Sequence, residues 1–327
     1  MKRCVAVLML VWGCLAGQAT AEQTARGTVY VDANGNRLLD GGEQPLAGIR
    51  VSNGREIVVT DETGQYAIPV EDDTIVFVLK PRGFRTALNK HMLPQFYYIH
   101  KPKGSPPNLR YAGVPPTGPL PERIDFPLYR QSEPEAFEAI LFGDTQPRDL
   151  REVNFIARET IPELIGTDAA FGVTLGDVVF DDLSVFEPLN AAVALIGIPW
   201  YNVLGNHDLN FDLEEDRYSD ETFERLYGPP YYAFDYGAVH FIVLDGVDWH
   251  RRDDGSLGYV GGLGEAQLAF VENDLALIPE QQLVVLMMHI PFTHRWRDQQ
   301  RARLFRMMEQ RPFCLSLSAH EHVQTHH

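Results

Sequence analysis

Cysteine is scarce in this 327-residue chain: three occur, and two of them, Cys4 and Cys14, fall within the first 21 residues. If that stretch is removed, Cys314 stands alone and no intrachain disulfide can form, so packing must hold the fold. Positive charge is also short. Twenty-eight Lys and Arg face 45 Asp and Glu, a net −17 that becomes −19 once Lys2 and Arg3 are gone. Binding nucleic acid through its phosphates needs basic patches, so no nucleic-acid partner is expected. Long apolar runs are missing too. The stretch from Cys4 to Gly17 is shorter than the roughly 20 residues that span a bilayer. With Lys2 and Arg3 before it and Ala19-Thr20-Ala21 after it, it reads as a cleaved export signal over residues 1–21. The expectation is an exported chain, periplasmic or secreted, with no transmembrane segment after cleavage. A lipoprotein anchor at Cys14 is the weaker alternative, because the apolar run before it is short and Trp12 is an awkward neighbour.

What is present is ordinary globular material, 45% hydrophobic and 22% charged, at a length that fits about two domains. From Gly27 to about Lys80, short alternating segments lie between turn signals: Gly27–Val31, Gly48–Val51, Ile57–Thr60, Tyr66–Val70 and Thr74–Leu79. That spacing predicts a small all-β sandwich. From His91 to Pro134 proline is dense, which argues against a central strand or a helix. This segment is read as the irregular edge of a β-domain over residues 22–130, followed by a linker at 131–136.

From Phe137 the texture changes. Apolar runs alternate with amphipathic stretches: Phe137–Phe142, Asp149–Leu164, Phe171–Leu175, Ser184–Leu195 and Trp200–Leu204. The rhythm is βαβαβ and predicts an α/β domain over residues 137–327. Two adjacent strands (Tyr231–Tyr236 and Val239–Leu244), a helix (Gly264–Leu277) and a strand (Leu283–Met288) follow. Polar residues gather where strands end: Asp144, Asp177, the run Asn206-His207-Asp208, His289, and His320-Glu321-His322. Ligands of open α/β sheets collect at the carboxyl ends of strands, so these side chains are expected to converge. They are nitrogen and oxygen donors with no thiolate, a set suited to Zn, Fe or Mn.

The ordered set Phe142-Gly-Asp144-Thr-Gln146, Gly176-Asp177 with Asp181, Gly205-Asn-His-Asp208, His289 and Ala319-His320-Glu-His322 resembles the calcineurin-like metallophosphoesterases over roughly residues 137 to 322. The β-rich part, with Tyr98-Ile-His-Lys-Pro-Lys-Gly104, resembles the amino-terminal module of a secreted branch of that family. The resemblance implies a four-layer αββα sandwich behind a small β-sandwich. It also implies hydrolysis of a small phosphomonoester or phosphodiester by a metal-bridging hydroxide. Asp177 would bridge two ions, with Asp144, Gln146 and His322 at one and Asn206, His289 and His320 at the other. His207 would serve the leaving oxygen, oriented by Asp208. Most of the family has histidine where this chain has Gln146, and an amide oxygen is the weaker ligand. That replacement is the one feature favouring the alternative, a non-catalytic secreted binding protein with a vestigial metal site.

Arg148 and His294 lie close in sequence to ligand positions and are read as candidate contacts to substrate phosphate. In the β-rich part, Asp32, Asn34, Asn36, Asp40 and Glu43 occupy places 1, 3, 5, 9 and 12 of a calcium-type loop, with Leu38 offering its carbonyl. Arg37 stands where that loop expects its glycine, so an Asx-rich turn competes with calcium. The chain stops five residues after His322, where this fold normally continues, so a fragment is expected. No feature of the sequence speaks to oligomeric state.

Overall fold

The computed structural model describes residues 23–326. The export-signal expectation lies outside the described residues. Among those described, no helix is long and apolar enough to cross a membrane.

Residues before Gln131 form two packed sheets. One is six-stranded, running Gln44–Pro45, Gln23–Val31, Phe126–Arg130, Phe84–Leu88, Pro94–Gln95, with Gln65–Val70 also paired to Gln23–Val31. The other orders Ile57–Val59, Arg50–Ser52, Thr74–Val78 and Tyr97–His100. Alternation places Val29, Val51, Ile68, Val76 and Leu128 inside, all fully buried, as a half-buried sheet requires. The proline-rich segment departs from expectation. Phe126–Arg130 is an inner strand, parallel to Gln23–Val31 on one side and antiparallel to Phe84–Leu88 on the other. Pro127 is tolerated there because the second pairing covers only Leu128, Tyr129 and Arg130, so that neighbour asks no bond of the missing amide.

The later part is α/β. A parallel sheet of Ala139–Phe142, Phe171–Thr174 and Trp200–Asn202 faces a mixed sheet of Tyr232–Tyr236, Val239–Val243, Leu283–Met287 and Cys314–Leu317. Aromatic rings join the two sheets: Tyr201 stacks on Phe234 at 4.2 Å, and Phe171 meets it edge-on at 5.5 Å. Helices cover the outer faces, among them Phe186–Val193 and the pair Glu265–Leu275 and Asp298–Glu309. The expected helix over Asp149–Leu164 is present but broken by a wider turn at Ile156–Thr160. Pro162 supplies the reason, since it has no amide to give the preceding turn.

The segment read as a linker is anchored. The buried Glu133 carboxylate takes Lys80 Nζ at 2.6 Å and the amides of Gly83 and Gly237 at 3.0 Å. Around it the two parts share one apolar core, in which Phe77 packs on Phe270 and Phe96 on Tyr232.

Candidate metal centre

The parallel sheet and its neighbour deliver every chemistry-bearing segment from a strand end. Asp144 and Gln146 follow Ala139–Phe142, and Asp177 and Asp181 follow Phe171–Thr174. Asn206, His207 and Asp208 follow Trp200–Asn202, His289 follows Leu283–Met287, and His320 and His322 follow Cys314–Leu317. Glycine makes the approach possible. A Cβ at Gly205 would lie 2.0 Å from the Asp177 amide, and one at Gly176 would lie 2.5 Å from His289. The loops pay in backbone strain for the aim of their side chains. Of ten non-glycine residues with left-handed φ among those described, six are Asp144, Gln146, Asp177, Asp181, His320 and His322. Such strain persists where surrounding structure over-determines it, typically at functional sites.

The side chains do meet. His289 Nε2 lies 3.1 Å from Asp177 Oδ2, 3.1 Å from Asn206 Oδ1 and 3.2 Å from His320 Nδ1. The ligand atoms of Asp177, His289 and His320 all fall within 4.8 Å of one another. On the other side His322 Nε2 stands 3.5 Å from Asp144 Oδ1, and the His320 amide donates to both Asp144 oxygens at 3.0–3.1 Å.

The donor set fits metal for a reason visible in its hydrogen bonds. His289 Nδ1 faces the Leu175 carbonyl at 2.9 Å, so Nδ1 carries the proton and Nε2 presents a lone pair inward. That lone pair meets a carboxylate oxygen, an amide oxygen and another ring nitrogen. Acceptors converge on one buried point, and a cation is what satisfies them. Without one, burial alone would lower the His289 pKa, but Asp177 outweighs it and raises it. Burial and the His289 ring hold His320 down at about 4, so it is neutral near pH 7, as a ligand must be. Burial and the Asp177 carboxylate raise Asp144.

Gln146 reaches the same point. Its Nε2 donates to Asp177 Oδ2 at 2.6 Å, and a half-turn of the amide would bring Oε1 there instead.

His207 is held differently from expectation. Its amide donates to Asp177 Oδ1 at 2.9 Å, and its Nε2 is 4.0 Å from Asp177 Oδ2. Nδ1 pairs with Asp181 Oδ1 at 2.6 Å, not with Asp208. Asp208 is fully buried and accepts from the amides of Val178, Val179 and Gly205. It therefore ties two ligand loops together, a positioning role one layer beneath the ring. The physical reason is burial: chain direction turns the residue after His207 into the protein. Phe180 was missed from sequence. It stacks on the His207 ring at 4.2 Å, and only its place between Asp177 and Asp181 hinted at it.

Of the candidate substrate contacts, His294 sits beside the centre. Its ring lies 4.7 Å from that of His320 and its Nδ1 pairs with Glu321 at 2.8 Å. Arg148 lines an open groove of about 1110 Å³ with Asp144, Gln146, Phe180 and His322, though its guanidinium is bonded to Glu152. The Asp32–Glu43 loop is closed by its own donors. Asp32 accepts from Gly35, Arg37 and the Tyr129 hydroxyl, Asp40 from both Asn34 and Asn36, and Glu43 from Ala33 and Asp40. The exposed Leu38 side chain takes no part.

Residues 139–324 match the family described as calcineurin-like phosphoesterase, and residues 32–112 match the description of the N-terminal part of such phosphoesterases. Among solved structures, a dimetal phosphatase from Danio rerio is similar at 15% identity and a TM-score of 0.44, over 57% of this chain and 82% of that one. No curated protein matches significantly.

Proposed function

This chain belongs to the calcineurin-like phosphoesterase family and is a hydrolase of phosphate esters, and from that premise we propose that it works outside the cytoplasm on a small phosphomonoester or phosphodiester. The amino-terminal 21 residues, read as an export signal, support the location. The observation that carries the chemistry is the convergence of acceptor atoms from Asp177, Asn206, His289 and His320. Two ions from the Mn, Fe and Zn group fit it. Asp177 would be shared, with Asp144, Gln146 and His322 toward one ion and Asn206, His289 and His320 toward the other. Such a pair supplies an activated water and a clamp on phosphoryl oxygens.

The chain's own residues do the rest. His207, fixed through Nδ1 by Asp181 and braced by Phe180, turns Nε2 toward the centre, where it hands a proton to the departing oxygen. Asp208 keeps the loops bearing Asp177 and Asn206 in register. Arg148 in the groove and His294 beside His320 serve as contacts for phosphate oxygens. The β-rich part over residues 22–130 acts as a fixed shoulder, and residues 137–327 carry the chemistry.

Metal analysis and turnover of an aryl phosphate and a bis-aryl phosphate with added Mn test this reading. The expected pattern is that His207→Ala keeps bound metal and loses roughly 10²–10⁴ in kcat, whereas Asp177→Ala loses metal. Wild-type rates in either variant would reject the assignment. For the Asp32–Glu43 loop, calcium is proposed as an additional ligand of Asp32, Asn34, Asn36, Leu38, Asp40 and Glu43. A calcium-dependent rise in melting temperature that Asp40→Asn reduces would support it, and an identical rise in that variant would remove it.

A further inference from the structure

A second acidic cluster lies where the β-rich part meets the phosphoesterase part. A cavity of about 360 Å³ is lined there by five carboxylates, Asp73, Asp216, Asp220, Glu224 and Asp245, with Gln267 and two cations, Arg55 and Arg217. The cluster is short of cations. Lys101 Nζ contacts Asp73, Glu221 and Glu224 at 2.6–2.9 Å, and Arg217 stands 3.6 Å from Asp73. No Lys, Arg or His among the described residues pairs with Asp220 or Asp245.

Two oxygens in this cavity have no partner although their residues are more than nine-tenths buried. One is Asp220 Oδ1 and the other is Gln267 Oε1. Asp220 occupies the N-cap place of the helix Glu221–Tyr227, yet its side chain caps no amide, which is what an N-cap aspartate ordinarily does. Gln267 is fixed the other way about: its Nε2 donates to the Asp245 carbonyl at 2.9 Å, which leaves its carbonyl oxygen as the end without a partner. Asp245 uses Oδ1 to hold the Val247 amide at 3.0 Å. Burial, then the charges of Glu224 and Asp245, push the Asp220 carboxyl well above its ordinary range, and burial and Asp216 do the same to Asp245. Buried, unpaired and mutually repelling oxygens call for positive charge.

We propose that this cavity binds a hard divalent cation of the calcium class, held by Asp220, Asp245 and the Gln267 carbonyl, with water filling the remaining places. The ligands are oxygen only, which disfavours the borderline metals of the catalytic centre. Calcium accepts irregular shells of six to eight oxygens, whereas magnesium demands a compact octahedron, and the cavity is wide. A cation here neutralises the phosphoesterase side of the junction against which Ile75 and Phe77 of the β-rich part are packed. The site is independent of the catalytic centre and of the Asp32–Glu43 loop.

Terbium serves as the probe, because the Tyr231 ring lines the same cavity and can sensitise its emission. With full-length protein, tyrosine-excited terbium emission that calcium displaces is expected, together with a calcium-dependent rise in melting temperature. In the Asp40→Asn background, which takes away any response of the Asp32–Glu43 loop, Asp220→Asn/Asp245→Asn should abolish both. Tyr231→Phe should dim the emission and keep the thermal shift, and Asp40→Asn should leave the Tyr231-dependent signal unchanged. Asparagine preserves shape and removes repulsion, so the double variant is expected to melt no lower than wild type in chelator. The proposal is overturned if the Asp40→Asn protein shows no calcium response, or if adding the double substitution to it leaves the emission and the thermal shift in place. It is equally overturned if the double variant melts higher than wild type in chelator while calcium shifts neither, since a bound proton would then serve instead.

Discussion

His207 Nδ1 lies 2.6 Å from Asp181 Oδ1, which makes Asp181, four residues after Asp177, the group that aims the ring. Asp181→Asn should therefore lower kcat by roughly tenfold or more while metal content stays at the wild-type level. Metal analysis beside steady-state kinetics checks this. Equal loss of metal and rate would show that Asp181 supports ligand loops rather than His207.

Asp208→Asn is expected to act differently. It puts an NH2 group where one of two carboxyl oxygens accepts from amides of two ligand loops, so metal affinity should fall along with rate. Leaving a buried donor without its acceptor costs about 1–3 kcal/mol. Titration of apo protein with Mn distinguishes the two aspartates: affinity near wild type in this variant would count against the positioning role.

Gln146→His should tighten binding at the ion nearer Asp144 by about tenfold, some 1.4 kcal/mol, since imidazole is the better ligand. Isothermal titration of chelated protein measures it. Unchanged affinity would mean that Gln146 serves only Asp177 through its amide.

Metal should also stabilise the fold. At a hundredfold excess over Kd, Mn is expected to add about 2.7 kcal/mol to wild type and little to Asp177→Ala. Urea midpoints with and without chelator provide the comparison.

Two buried histidines set opposite pH trends. His240 lies between Asp235 and Asp274, each at 2.7 Å. Burial alone would lower its pKa, but Asp274 and Asp235 outweigh burial and raise it. Its contribution is therefore fully present below the unfolded value of about 6.5 and is lost as pH rises through the folded value. His240→Gln should cost about 3 kcal/mol at pH 5–6 and progressively less above. His100 is buried with neither ring nitrogen partnered, and burial lowers its pKa. Its folded form prefers the neutral ring, so stability is lost as pH falls below about 6.5. His100→Phe should flatten that acid limb, and an unchanged urea profile from pH 7 to 5 would reject the account.

Sequence pattern carried the strands that hold the centre because each is an uninterrupted apolar run ending in glycine or a donor, as in Leu283–Met288 before His289. The side chains that meet at the centre were legible for the same reason. What stayed hidden depended on three-dimensional contact. Asp181 rather than Asp208 meets His207 because only the folded loop decides which carboxylate faces the ring. The helix Asp298–Glu309 buries just Leu304 and Met308, too few for an apolar period to register. The strand Phe126–Arg130 was masked by Pro127, whose missing amide matters only on a side where a neighbour asks for it.

The Arg50 guanidinium crosses from the β-rich part to grip Asp235 at 2.7 Å and Asp274 at 2.6 Å, the two carboxylates that flank His240. A catalytic half expressed from residue 137 onward would carry that pair of anions without their counter-ion, beside the bared faces of Phe270 and Tyr232. Recombinant production of the hydrolase therefore requires both halves, and differential scanning calorimetry of the whole chain should record a single endotherm.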